Sequence, residues 1–104
     1  MQNETFNKVI DKQINHCLET LVVKASEYAT EDRLHNFKVA AELQGKTVRQ
    51  AIAGMMAKHT VSVFDMCDAD DLASVALWDE KIGDHLNYLL LLRAAVAEEG
   101  KEVL

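Results

Sequence analysis

Apolar residues recur every three or four positions along most of this chain, the spacing that places them on one side of an α-helix. Phe6, Ile10, Ile14, Cys17, Leu21, Ala25 and Tyr28 fall within a narrow arc, which predicts a first helix over residues 3–29. Lys8, Lys12, Asn15 and Glu19 take its outer faces. Thr30-Glu-Asp-Arg33 supplies capping residues for a shorter helix over 32–44, with Leu34, Phe37, Ala41 and Leu43 turned inward and Gly45 placed to end it. Thr47-Val-Arg-Gln50 has the spacing of a capping box and opens a third helix over 48–67. The inner stripe of that helix is Val48, Ile52, Met55, Met56, His59, Val63 and Met66. An acidic break, Cys67-Asp-Ala-Asp-Asp71, precedes a fourth helix that starts at Leu72 or Ser74 and runs to Glu99. Gly83 lies inside it at a cost of about 1 kcal/mol unless close packing or a kink compensates. The tail from Gly100 to Leu104 is expected to fray.

The fold class that follows is all-α, a bundle of three long helices and one short one forming a single domain over residues 1–104. The chain has no proline and four scattered glycines, so long uninterrupted helices are permitted almost everywhere. Beyond Asp84 the fourth helix is apolar nearly all round, through Leu86, Leu89, Leu90, Leu91 and Leu92. A helix of that kind is central, and a chain this small has too few others to cover it. The expectation is a homo-oligomer, most simply a two-fold dimer.

A formal net charge of −6 argues against nucleic acid as a partner, since a polyanion binder needs a basic face. The segment Ala40 to Ile52 has the look of a helix-turn-helix corner, but its second helix offers only Lys46, Arg49 and Gln50 before becoming core. Cys17 and Cys67 match no zinc or redox spacing and read as reduced thiols. The start of the chain has no basic-then-apolar signal, and no apolar run is long enough to span a bilayer. A cytoplasmic location without membrane attachment is therefore expected.

Candidate chemistry centres on helix four. Glu80, Asp84 and Asn87 share one face, which Leu77 and Leu91 extend, so the acids read as partly enclosed by apolar neighbours. Carboxylates in such a setting need a proton, a cation or a metal to offset desolvation. Hard oxygen ligands suit magnesium. The competing reading is a solvated acid pair, or one neutralised by Lys24, Arg33 or Lys58 across the bundle. Glu27, Glu31 and Asp65 are further candidate metal ligands. Lys24, Arg33 and Lys58 are candidates to meet phosphate, and His35, Asn36 and Asn87 to orient a ligand. Lys58 and Asp65 lie on one flank of helix three and serve equally well as a structural ion pair. His59, at the centre of its stripe, reads as a core histidine bonded to a carboxylate. Serine-nucleophile, Walker and dinucleotide-binding motifs are absent from the sequence.

Glu27-Tyr28 after a lysine, Asp32-Arg-Leu-His-Asn-Phe37, Lys58-His59 and Glu80-Lys-Ile-Gly-Asp84-His-Leu-Asn-Tyr88 together resemble a group of small phage-associated proteins. Some of these are similar to the nucleotide modification associated domain families. A looser resemblance runs to the MazG-like all-α nucleoside triphosphate pyrophosphohydrolases, which pair a Glu-x-x-Glu with a Glu-Glu-x-x-Asp to hold magnesium on nucleotide phosphates. Glu80 and Asp84 match the first glutamate and the aspartate of the second motif. Lys81 stands where its second glutamate belongs, and Glu27 and Glu31 are one residue too far apart for the first. The resemblance implies a helical nucleotide pocket with magnesium as cofactor. Two functions follow as expectations: a magnesium-dependent nucleotide-binding or pyrophosphate-cleaving protein, or a noncatalytic acidic helical adaptor or inhibitor that binds a host or phage protein.

Overall fold

A computed structural model describes residues 1–24, with Lys24 by its backbone alone, and residues 32–104. They form four α-helices and no strand among the described residues: α1 (Asn3–Leu18), α2 (His35–Gln44), α3 (Val48–Asp68) and α4 (Val75–Glu99). Beyond Leu18 the first helix widens into a π-helical segment, Glu19–Lys24. The predicted helix beyond Lys24, to Ala29, lies outside the described residues.

Local chemistry sets most of the boundaries. The Thr47 hydroxyl accepts from the Gln50 amide at 3.1 Å, and the Gln50 side chain accepts from the Thr47 amide at 2.9 Å. Two donors that the helix start leaves open are thus satisfied reciprocally. Gly45 ends α2 at φ +62°, and Lys46 donates back to the Ala41 carbonyl at 2.9 Å. Ser74 caps α4 by accepting from Leu77 at 3.2 Å. The tail is less frayed than expected. Lys101 takes a left-handed φ of 53°, Glu102 donates its amide to the Ala97 carbonyl, and its carboxylate pairs with Arg93 at 2.9 Å.

Helices α3 and α4 form an antiparallel hairpin: Arg49 meets Glu99 at one end, and Thr60 meets His85 nearer the other. Helix α2 packs on α3, and its Lys38 bridges to Glu98 of α4. The main core lies between these three helices. Leu34, Ile52 and Ala95 are buried, with Phe37, Val48, Tyr88, Leu91 and Leu92 packed around them. The inner stripe predicted for α3, from Val48 to Met66, is buried or half-buried throughout.

Helix α1 packs on the first half of α4 and runs parallel to it. Gln13 Nε2 donates to the Asp79 carbonyl at 3.2 Å, and Cys17 Sγ lies 4.0 Å from the Gly83 carbonyl. Gly83 lets the helices approach closely here: a Cβ on it would stand 3.0 Å from the His16 ring, which would have to shift. The apolar stripe of α1 was expected to face the core, and most of it does not. Cys17 is buried, but Phe6, Ile10 and Ile14 are 54, 44 and 46 % exposed. The cause is register. The same offset of 66 residues places Phe6 level with Leu72, ahead of the first turn of α4. The docked side of α1 also carries Gln13 and His16 rather than the isoleucines. The resulting shape is elongated, 43 × 31 × 25 Å, with a radius of gyration of 15.8 Å against about 13 Å for a compact chain of this length.

Candidate functional site

The polar side chains that the fold gathers lie along the α3–α4 seam. His59 stacks on Tyr88 with ring centroids 4.8 Å apart, and its Nδ1 lies 3.9 Å from the Asp84 carboxylate. That separation is too long for a hydrogen bond and becomes an ion pair only when the imidazole is protonated. One residue along each helix, Thr60 Oγ1 and His85 Nε2 are 2.9 Å apart. The Thr60 hydroxyl also reaches the Met56 carbonyl at 3.4 Å. A hydroxyl has one proton, so a Thr60 that donates to Met56 accepts a hydrogen bond from His85 Nε2–H. Among the described residues, two buried polar atoms have no partner: the side-chain oxygen of Asn87, one turn beyond Asp84, and the indole nitrogen of Trp78.

The other residues singled out in the sequence are dispersed. Asp84 is half-buried, but Glu80 is exposed. Its face of α4 falls between the contact to α1, made through Asp79 and Gly83, and the contact to α3, made through Asp84 and His85. Towards Asn87, which shares that face, the surface closes: Asn87 is buried and Asp84 half-buried. Lys58 and Asp65 are exposed on the outer side of α3. His35 and Asn36 are exposed at the start of α2. Arg33 donates to the Leu21 carbonyl at 2.7 Å, which ties the π-helical segment to the start of α2. Glu27, Glu31 and the Lys24 side chain lie outside the described residues. Among the described residues, no three His, Cys, Asp or Glu side chains converge on one point.

The pKa shifts that stand out concern the frame around this seam. Asp32 accepts from Lys38 at 2.7 Å and from the Leu34 amide at 2.9 Å, which holds its carboxyl below the usual carboxylate value. Lys38, between Asp32 and Glu98, is raised by the same contacts. Glu102 and Arg93 are shifted down and up by their mutual hydrogen bond. A shallow groove is lined by Lys8, Asp11, Lys12, Asn15, His16 and Glu19. All six come from one continuous helical stretch, so the groove is relief on a helix surface rather than a cleft between elements.

The feature that residue-by-residue reading missed is the quantity of apolar surface left uncovered. Besides the α1 stripe, Val22, Val23, Val61, Phe64, Leu72 and Val75 are all more than half exposed, as is Leu43, which was expected to face inward, while Ile52 and Cys17 are the largest fully buried side chains among the described residues. Scattered exposed leucines need no explanation, but rows of them on single helix faces mark contact surfaces. The signal was present in the sequence as an excess of apolar stripes over the helices available to cover them. Comparison with protein-family models, with curated proteins and with solved structures finds no match to this chain. No described helix is long and apolar enough to cross a membrane.

Proposed function

We propose that this chain is a noncatalytic helical adaptor that acts by binding another protein through α1. The observation that carries this reading is the half-exposed row Phe6, Ile10, Ile14 and Leu18, running along the flank of α1 beside the strip docked on α4. Side chains of this kind are worth about 1.5–3 kcal/mol each when fully buried, so covering the row is a sufficient driving force for association. An i, i+4 apolar row fits an amphipathic helix or a hydrophobic groove on the partner. The net charge of −6 favours a partner whose rim is basic.

The test is a photo-cross-linking amino acid in place of Ile10 in the full chain, expressed in its native cells. The expected product joins this chain to one other protein, and the additional change Ile14→Asp abolishes it while leaving the helical circular dichroism intact. No cross-link, or cross-links insensitive to Ile14→Asp, would overturn the reading.

A second reading is a magnesium-dependent nucleotide-binding or pyrophosphate-cleaving protein, with Asp84 and Glu80 holding the ion. It is favoured by one observation, the buried and unpartnered Asn87 oxygen one turn from the half-buried Asp84 carboxylate. Glu27 and Glu31 are the residues it would recruit. A ligand that binds only the folded chain raises the melting temperature. A rise that requires both magnesium and a nucleoside phosphate, and is lost in Glu80→Gln, would support this reading over the adaptor.

A further inference from the structure

The outer side of α3 carries a second pattern, distinct from its buried stripe. Gln50, Gly54, Ala57, Val61, Phe64 and Asp68 follow one another at alternating steps of four and three residues. That spacing, 3.5 residues on average, keeps side chains aligned along the contact line of two packed helices. Among the described residues this line lies at the surface of the single chain. All six residues are exposed, Val61 and Phe64 by 57 and 63 %.

Gly54 gives an independent sign. It interrupts a 21-residue helix, where glycine is costly, yet a Cβ there would meet nothing within 4 Å. Gly83, the other glycine within a helix, makes room for His16; the space at Gly54 serves no neighbour in its own chain.

The order of residue sizes along the line identifies what fills that space. Small residues occupy the first half (Gly54 and Ala57) and larger ones the second (Val61 and Phe64). A second copy of α3, laid antiparallel about a two-fold axis between residues 57 and 61, sets Ala57 against Val61 and Gly54 against Phe64. Each Phe64 ring then enters the hole left by the other copy's glycine, twice by symmetry.

The charges agree with the same direction. The first turn of α3 has no acid and its last turn no base, the reverse of what its own macrodipole favours. Asp65, Asp68, Asp70 and Asp71 instead gather at its C-terminal end. An antiparallel neighbour brings the other copy's helix N-terminus, with Lys46 and the Gln50 amide, beside these acids. A parallel neighbour would stack acids on acids and Phe64 on Phe64. The two Lys58 side chains approach each other at the rim of the antiparallel pair, where they are exposed and screened by water.

We infer that α3 is the self-association face of this protein, forming an antiparallel two-fold dimer through Gly54, Ala57, Val61 and Phe64. The inference does not depend on what α1 binds. In the dimer both α1 rows remain free, so an adaptor built this way would be bivalent.

Sedimentation equilibrium of the full chain over the micromolar range tests it. The wild type is expected to be dimeric. Gly54→Leu fills the hole with a side chain whose Cβ meets nothing within 4 Å in its own chain, and should raise the dissociation constant by about tenfold or more while helicity is kept. Phe64→Asp should give monomers with unchanged circular dichroism. In a Cys67→Ser background, copies carrying Ala57→Cys should cross-link with copies carrying Val61→Cys, and Gly54→Cys with Phe64→Cys. A monomeric wild type, an unchanged Gly54→Leu dimer, or cross-links that join like positions only would overturn the inference.

Discussion

The two ends of the α3–α4 hairpin are built differently. At the end where α2 packs, Leu34, Ile52 and Ala95 are shut away from water, Phe37 meets Tyr88 edge-on at 6.2 Å, and Lys38 ties α2 to α4 through Asp32 and Glu98. At the end where α1 packs, the described contact is marked by an amide-to-carbonyl hydrogen bond, a buried thiol and a glycine pressed against a histidine ring. The first arrangement excludes water from a continuous apolar volume, whereas the second mainly holds a helix in place. The lesson is that α1 is positioned by the fold without being completed by it. Its apolar row is kept at the surface, where burial energy that the monomer leaves unused is available for binding.

Breaking the finished end should have the largest effect. Ile52→Ala empties a fully buried site, and chemical denaturation should show a loss of about 3 kcal/mol, within the usual range for such cavities. At the other end, Gly83→Leu pushes into the His16 ring and should cost about 1–2 kcal/mol. Its effect should be local: amide protection in α1 falls while protection around Ile52 is kept. Thr47→Ala removes one half of the capping box and should cost about 1 kcal/mol, with Thr47→Ser restoring most of it.

The smallest effect concerns pH at the α2 contact. The Asp32 carboxyl is lowered in the folded chain, so its contribution is present above the ordinary value of 3.8 and is lost as pH falls through the lower folded value. Lys38 is raised, so its contribution is present below 10.5 and is lost as pH climbs past the raised folded value. Both groups are solvent-exposed, so each limb should be shallow. Lys38→Met should flatten both limbs of a melting-temperature profile, whereas Arg49→Met should leave them as they are.

What the sequence disclosed well was local. The Thr47–Gln50 box, the left-handed Gly45 and the inner stripe of α3 each depend on residues within a turn or two of one another, and all are found where the spacing puts them. The space that Gly83 leaves was legible as a cost, but the neighbour that fills it, His16, lies 67 residues away and could be named only from the fold. Periodicity says that a helix has an apolar side, not that another helix is available to cover it. The stripe of α1 was therefore assigned to a core that the register with α4 does not provide. The widening at Glu19–Lys24 shifts the helix phase by adding residues to a turn, and composition carries no mark of it. At the candidate site, Asp84 and Glu80 were read as an enclosed pair from their spacing and from Leu77 and Leu91 on the same face. Their different burial arises from where α1 and α3 meet α4, which no single-helix pattern contains.

Hydrogen exchange along the whole chain, followed by mass spectrometry at a concentration low enough to hold the chain monomeric, tests most directly whether one end is finished and the other awaits a partner. The account predicts that α1 amides exchange through local opening, far faster than those around Ile52 in α3 and Ala95 in α4. Protection of α1 equal to that of the Ile52 region would contradict it, since α1 would then belong to a complete core with nothing held in reserve for binding.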